Sequence, residues 1–384
     1  MAKRDWHSLS ERDRAVRVIL KRSNWAVREF QDIDEAQIIQ LCRQILGYAP
    51  TPAEWRWRMF QNPVGPAISM VASLREGERI IGHLAAVPIQ LQVGRNSREL
   101  FFLVDSIVDP VYQGRGIHAA LTMMISRRAA EQRAGPLGGL PNTQAYGPNL
   151  KMGGTYIFTM PVYFKIIDWA AIVRSRLHSN FLASVAGVIA RPFRKNRSLE
   201  KSGGFRIEEV SRFDLNVEDL WNCVGPRFQV CAKRTSNLLN WRYFERPRTA
   251  YTVFSASSGD KWVGYVVVRL LDKWGMRLGT VVDLFFDPDC AVAGEILLRH
   301  AENHLRNNQA EALWALFACP PVYRSVLRRA GFFRAPRLKG VRDFHFVSDF
   351  VTIDAIRPDL FERDGDLLRR EDAWFFSLGD SDLA

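Results

Sequence analysis

Blocks of strand-like and helix-like spacing alternate along the chain from residue 25 to residue 165. In residues 34–47, for example, Ile38, Ile39, Cys42 and Ile45 fall on one face of a helix. The pattern predicts a strand, two helices, three strands, a helix, a strand, a helix and a last strand. These predicted elements are residues 25–30, 34–47, 53–60, 68–74, 79–92, 98–108, 116–133, 137–142, 146–152 and 155–165. Their order indicates a mixed α/β (α+β) fold.

The second half of the chain repeats this pattern. Residues 57–63 and 241–247 share tryptophan, arginine, phenylalanine and proline at the same spacing. Further matches follow in the same order: Gly82 and Gly264, Asp105 and Asp283, Asp109 and Asp287, Gly116 and Gly294, Gly153 and Gly331. They predict two copies of one fold, each a mixed twisted sheet flanked by helices, at residues 25–167 and 205–350. Residues 1–24, 168–204 and 351–384 are then an N-terminal extension, a linker and a C-terminal tail.

Composition and charge narrow the class of protein. The chain has 384 residues, 47% of them hydrophobic, and a formal net charge of +12. These values fit a globular protein with anionic partners. Its five scattered cysteines form no CxxC pair, and its first residues lack a secretory signal. We therefore expect a cytoplasmic protein. Residues 168–203 combine a partly amphipathic stretch with a basic loop, which is either a packed linker or a weak contact with a membrane surface.

Residues 104–118 carry the strongest chemical signal in the chain. An apolar strand runs into Asp109 and Pro110, and a glycine-rich turn from Gln113 to His118 then opens a helix. Such a turn directs main-chain N–H groups outward at a helix N-terminus, where they bind phosphate. Arg115 adds a guanidinium that pairs well with phosphate. The stretch is either a phosphate site or only a tight connection between a strand and a helix.

This stretch resembles motif A of the GNAT superfamily of acyl-CoA N-acyltransferases, which reads Q/R-x-x-G-x-G/A after a strand. Gln113 and Gly116 match, whereas His118 stands where the family has Gly or Ala. Residues 323–333 resemble the family's motif B. The resemblance implies two tandem GNAT-like domains, in which the turn holds the pyrophosphate of coenzyme A and the preceding strand holds pantetheine. The cofactor-binding residues that it implies are Ile107, Val108, Gln113, Gly114, Arg115, Gly116, Ile117 and His118.

The second copy has lost most of this turn. Alignment on the two Asp-Pro pairs sets residues 291–293, Ala-Val-Ala, against residues 113–115, Gln-Gly-Arg. Asp289 and Glu295 add negative charge that would repel a phosphate. We therefore expect the first copy to bind acyl-CoA and the second copy to be degenerate.

Acyl transfer to an amine needs a base for the ammonium and an acid for the leaving thiolate. Asp105 is the nearest ionisable residue on the strand before the turn, and it is either this base or a structural ion-pair partner. The family pattern N-x-x-A-x-x-x-Y-x-K-x-G is matched from residue 142 to residue 153, except that Asn149 replaces the tyrosine. The resemblance then implies Tyr146 as the acid, unless it is a packed aromatic. It implies that Asn142 forms a hydrogen bond with pantetheine or with the acceptor substrate.

The function that the resemblance implies is N-acyl transfer, most simply acetyl transfer, from acyl-CoA to a primary amine by direct attack in a ternary complex. A small-molecule amine is the expected acceptor, and no DNA is expected as a partner. We expect no metal, because His300, Glu302 and His304 do not form an H-E-x-x-H motif. Two alternatives remain. One is a GNAT-fold transferase that uses aminoacyl-tRNA, which the positive charge would suit; the other is a non-catalytic module that binds acyl-CoA.

Overall fold

The structure is a computed structural model that describes residues 9–132, 135–168, 204–273, 275–335, 343–350 and 365–381. The amphipathic and basic segment lies outside the described residues from residue 169 to residue 203. Its two interpretations, a packed linker and a membrane contact, both stay predictions.

The first half contains the predicted alternation of strands and helices. Its helices are α1 (Leu9–Arg22), α2 (Glu35–Leu46), α3 (Pro52–Phe60), α4 (Ile117–Glu131) and α5 (Thr143–Lys151). Its strands are β1 (Trp25–Glu29), β2 (Ile68–Leu74), β3 (Ile80–Val93), β4 (Asn96–Val108), β5 (Leu137–Gly139), β6 (Thr155–Thr159) and β7 (Val162–Ile166). The prediction of one last strand over 155–165 is wrong, because the strand is interrupted at Met160 and Pro161. The strands on either side of this interruption, β6 and β7, pair with different neighbours.

From its first strand the second half follows the same order of elements, with an additional short strand between its first two helices and an additional helix and strand at its end. Its helices are α6 (Leu215–Val224), α7 (Ser236–Tyr243), α8 (Ala291–Asn307), α9 (Pro321–Arg329) and α10 (Gly365–Arg369). Its strands are β8 (Phe205–Glu209), β9 (Val230–Ala232), β10 (Thr252–Ser258), β11 (Lys261–Lys273), β12 (Met276–Phe286), β13 (Ala312–Ala318), β14 (Phe333–Arg334), β15 (His345–Asp349) and β16 (Trp374–Ser377).

The repeated tryptophan segments are the ends of two equivalent capped helices. Thr51 caps α3: its hydroxyl accepts from Glu54 N at 3.2 Å, and the Glu54 carboxylate accepts from Thr51 N at 2.8 Å. Pro52 supplies the first turn, where no N–H is needed. Thr235 caps α7 through its hydroxyl alone, which accepts from Leu238 N at 3.4 Å. Each cap sets where its helix begins and therefore where the repeated segment lies.

The strands of both halves form one continuous sheet with exchanged strands. Each half builds an antiparallel meander that ends in a parallel pair, β4 with β5 and β12 with β13. The next strand comes from the other half, since β7 pairs with β13 and β15 pairs with β5 and β6. Neither half completes its own sheet, so we expect the two to fold as one unit.

The tryptophans of the repeated segments meet where the halves join. The Trp57 and Trp241 rings stack with centroids 4.6 Å apart and planes 19° apart. Trp57 Nε1 donates to the Trp241 carbonyl at 3.0 Å, and Trp241 Nε1 donates to the Trp57 carbonyl at 3.3 Å. The reciprocal contact relates the two copies by an approximate two-fold axis. It gives the repeated tryptophan a structural role.

The described part of the predicted C-terminal tail, residues 365–381, belongs to the core. Trp374, Phe375, Phe376 and Leu378 are all buried. β16 pairs with β13 at Phe317 and Ala318 and also contacts β12. The C-terminal segment therefore fills the space into which β12 and β13 separate.

We expect Trp57→Ala and Trp241→Ala each to lower the free energy of unfolding by about 3–5 kcal/mol, because each removes a buried ring. The double variant should lose about 0.5–1.5 kcal/mol less than the sum of the two, since the rings stabilise each other. Denaturant unfolding followed by circular dichroism measures both quantities. Val292→Ala at an exposed position is the control and should change stability by no more than about 0.5 kcal/mol. Strictly additive losses would show that the stacked pair contributes nothing as a pair.

Candidate active site

A cavity of about 250 Å³ opens where β4 and β5 separate. The two strands pair only at Phe101 and Phe102. A β-bulge at residues 105 and 106 then bends β4 away, because only one residue of β3 lies between the partners of Val104 and Ile107. Within the described residues, the outer edge of β4 beyond Phe102 therefore pairs with no strand. Main-chain groups on that edge are available to a ligand.

The glycine-rich turn connects β4 to α4. Gly114 and Gly116 have φ of +75° and +84°, a conformation that side chains disfavour. No side chain caps α4, and the first amides of a helix have no partner within it. The Gln113 side chain donates to the Val108 carbonyl at 3.1 Å, and the exposed Arg115 side chain donates to the Val111 carbonyl at 3.2 Å. The turn has the main-chain geometry of an anion site.

The apolar residues predicted to bind the cofactor have buried side chains. Ile107 and Ile117 are 2% and 1% exposed, and Val108 is partly buried. Ile117 packs under β3, where it faces Gly82. These residues can therefore contact a ligand only through the main chain.

The corresponding space in the second half is filled by side chains. The Tyr323 ring stacks on Phe286 with centroids 4.0 Å apart, and its hydroxyl bonds the N–H and the carbonyl of Phe286 at 2.9 and 2.8 Å. Phe375 of β16 packs against the same tyrosine. Gly294 lies against the Phe286 ring and, unlike Gly116, is not left-handed. Over the part of the chain that the structure describes, β12 and β13 leave no cleft like that between β4 and β5.

Asp105 faces the cavity, but its carboxylate is paired with the guanidinium of Arg58 on α3. Its main chain is left-handed, with φ of +50°, at the bulge. The counterpart Asp283 is buried, accepts from the Tyr265 hydroxyl at 2.8 Å and pairs with Arg234 at 3.3 Å. The ion pair therefore favours the interpretation of Asp105 as a structural partner over that of a base, since both aspartates hold an arginine beside a bulge.

Tyr146 and Asn142 lie at the edge of the cavity in structural roles. The Tyr146 ring packs on His345 of β15 with centroids 4.5 Å apart and is not among the residues that line the cavity. Asn142 lines the cavity, and its side-chain oxygen accepts from Ala145 N at 2.9 Å, which caps α5. The packed-aromatic interpretation therefore fits Tyr146 better than the role of an acid.

His118 contributes more than the main-chain amide that the sequence analysis assigned to it. Its imidazole lines the cavity, with Nδ1 3.2 Å from Ser106 Oγ and Nε2 3.2 Å from Asn149 Oδ1. Burial lowers the pKa of His118, and the hydrogen bond to Asn149 opposes this shift. Sequence reasoning missed the contact because residues 106, 118 and 149 are far apart in the chain. The available signal was one departure from each of two patterns of the same family, a histidine for a small residue in the first and an asparagine for tyrosine in the second.

A second histidine is buried behind the bulge. His83 is fully buried, and its Nε2 lies 2.9 Å from Ser69 Oγ. Burial lowers its pKa to about 4. Its position on β3 gives it a packing role within the sheet.

Neither a metal centre nor a membrane span is found in the described ranges. No group of three or more potential metal ligands comes together in them. No helix there is long and apolar enough to cross a bilayer.

Comparison with known proteins assigns this region to a family. The sequence model of an acetyltransferase (GNAT) domain matches residues 26–139, which include the glycine-rich turn and the β4 edge of the cavity. This part of the chain is a GNAT domain. No curated protein matches the chain at a significant level.

Solved structures extend the likeness in fold over most of the chain. A GCN5-related N-acetyltransferase of Anabaena variabilis has a TM-score of 0.57 and 13% identity, over 84% of this chain and 72% of that one. A probable N-acyltransferase of Enterococcus faecalis has a TM-score of 0.56 and 13% identity, over 86% and 74%. N-myristoyltransferase of Saccharomyces cerevisiae with bound myristoyl-CoA has a TM-score of 0.54 and 11% identity, over 85% and 83%. At these identities the likeness shows a shared fold.

His83 should make the GNAT domain sensitive to acid. Its pKa is about 4 in the folded chain, below the ordinary 6.5 of the unfolded one. Between these two pH values the imidazole is protonated in the unfolded state but not in the folded state. The free energy of unfolding is therefore highest above pH 6.5 and decreases as the pH falls towards 4. The loss should reach about 3 kcal/mol at most. We expect His83→Gln to remove this part of the pH dependence of the unfolding free energy. Parallel curves for wild type and variant between pH 7 and pH 4 would contradict the prediction.

Proposed function

We propose that the protein is an N-acyltransferase that moves an acyl group from acyl-CoA to a primary amine by direct attack in a ternary complex. The open cleft between β4 and β5, next to a turn of free amides, is the observation that carries this proposal. The turn and the β4 edge of the cleft lie inside the segment that matches the GNAT domain, and residues of α5 and β15 complete the lining. In this proposal, the amides of residues 114–118 and Arg115 bind the pyrophosphate, and the unpaired edge of β4 binds pantetheine.

The first half is the proposed acyl-CoA site, and the second half has a supporting role. Tyr323 and Phe375 fill the second cleft, and Asp289 near the start of α8 is paired with Arg227. The expected donor is acetyl-CoA or another acyl-CoA, and the expected acceptor is a small-molecule amine. Because the cavity wall is partly apolar and partly polar, it suits a thioester with its amide-containing arm.

Direct binding and turnover separate this function from its alternatives. The full chain is titrated with acetyl-CoA and, separately, with a mixed aminoacyl-tRNA, and thiol release is followed with an amino sugar, a polyamine and an amino-acid amide. Acetyl-CoA binding together with amine-dependent thiol release supports the proposal. Salt-sensitive tRNA binding without acetyl-CoA binding would replace it with the tRNA-dependent function. Acetyl-CoA binding without thiol release to any amine would favour a binding module.

We expect Arg115→Glu to weaken acetyl-CoA binding by about tenfold or more, because a charge-assisted contact to phosphate is replaced by repulsion. Stability should change little, since Arg115 is exposed and donates only to a main-chain carbonyl. Calorimetric titration with acetyl-CoA measures the loss. The same titration with S-acetylpantetheine, which has no pyrophosphate, should show no difference between variant and wild type.

Val292→Glu is the matched control for this charge change. Val292 aligns with Gly114, next to the aligned position of Arg115, and it is exposed at the start of α8. A carboxylate there should leave acetyl-CoA binding unchanged. Equal losses from both variants would mean that the acyl-CoA site had been assigned to the wrong half.

A further inference from the structure

Three titratable side chains line the cavity in the described part of the chain: Asp105, His118 and Asp349. Asp105 is paired with Arg58, and Asp349 lies at the far end of β15. His118 is the titratable group that reaches across the cavity, from the second position of α4 towards both β4 and α5.

The partners of His118 set its tautomer. Asn149 Oδ1 can only accept, so Nε2 carries the hydrogen, and Nδ1 keeps a lone pair towards which Ser106 Oγ–H points. The two contacts hold the ring between β4 and α5. Of the other residues considered for proton transfer, Asp105 is paired with Arg58 and Tyr146 packs on His345. A base held by a third group that orients its ring is the usual arrangement for proton transfer at a reacting centre.

We propose that His118 carries the proton between the two reacting groups of the acyl transfer, with Ser106 and Asn149 as positioning residues. This assignment rests on the proposed function. The amine nitrogen forms a bond to the thioester carbonyl carbon, and the carbon–sulfur bond breaks. His118 Nδ1 exchanges its hydrogen bond from Ser106 for one from the amine, takes the proton that the nitrogen loses and returns it to the sulfur, which leaves as the thiol. The imidazole ends neutral, so the step needs no other reactant.

Burial supports this role because it keeps the imidazole neutral and ready to accept a proton near neutral pH. It also explains the residue type at position 118. A glycine or alanine there would supply the amide alone, whereas the histidine adds a side chain that reaches Asn149, 31 residues further along the chain.

The first test needs no acceptor and uses coenzyme A and desulfo-coenzyme A, which differ only at the sulfur. Nitrogen NMR of the histidine-labelled full chain should show the His118 signal, identified by its loss in His118→Gln, moving with coenzyme A and much less with the desulfo compound. Wild type should prefer coenzyme A by about fivefold, as one ordinary hydrogen bond would give. His118→Gln should abolish this preference. Identical responses to both ligands would overturn the assignment.

The second test measures the chemical step. The measured quantity is the single-turnover rate constant for consumption of acetyl-CoA, with the best amine of the panel as acceptor, or with water if the protein accepts no amine of the panel. This rate constant should be about 100-fold lower or more in His118→Gln than in wild type. The acetyl-CoA Kd should stay within about threefold, since the phosphate contacts remain. His300→Gln, at an exposed histidine of the second half, is the control and should change neither quantity. An unchanged single-turnover rate in His118→Gln would overturn the assignment. If this variant also bound acetyl-CoA more tightly, the imidazole ring would only narrow the cleft.

The pH profile separates proton transfer from a structural role. Asn149→Asp places a carboxylate against the imidazole and should raise its pKa, so the acidic limb of the rate profile should move to higher pH. Asp105 and Asp349 line the same cavity, and any limb that they cause should persist in His118→Gln. A profile that Asn149→Asp leaves in place would contradict the assignment. Failure of wild type to bind either coenzyme would instead overturn the proposed function itself.

Discussion

The candidate site depends on one constraint, the early separation of β4 from β5. The two parallel strands share only the pairs at Phe101 and Phe102. Two structural features separate β4 from β5 beyond that point. The bulge at Asp105, tied to Arg58, bends β4, and β15 from the second half pairs with the far edge of β5. Because all three residues of β5 pair with β15, β5 follows that strand and does not bend with β4, so the cleft opens beyond the bulge.

The same architecture gives opposite results in the two halves. β12 also bulges and separates from β13, but the gap receives Tyr323 from α9 and β16 from the C-terminal segment. Burying several aromatic rings there stabilises the molecule by far more than an open cleft would. The first half keeps its cleft at the cost of that burial. One copy has thus become a packed support and the other has kept a site, although both rest on the same Trp57–Trp241 contact.

Much of the fold could be predicted because it is local. The spacing of Ile38, Cys42 and Ile45 specifies a helix face, and the turn from Gln113 to Gly116 specifies a left-handed connection wherever it occurs. The last strand could not be divided correctly, because β6 and β7 join different neighbours that come from distant parts of the chain. Nor could residues 365–381 be placed in the core, because their apolar character does not indicate which part of the molecule they pack against.

The sequence by itself determined the order of elements, the repeat, the glycine-rich turn and the likeness to the GNAT superfamily, because each of these lies within a short stretch of chain. Tertiary structure alone decided which side chains share the cavity. Asp105 meets Arg58 across 47 residues, and His118 meets Asn149 across 31. The proton-carrying capacity of a side chain depends on its burial and its hydrogen-bond partners, and these are set only when distant segments pack together.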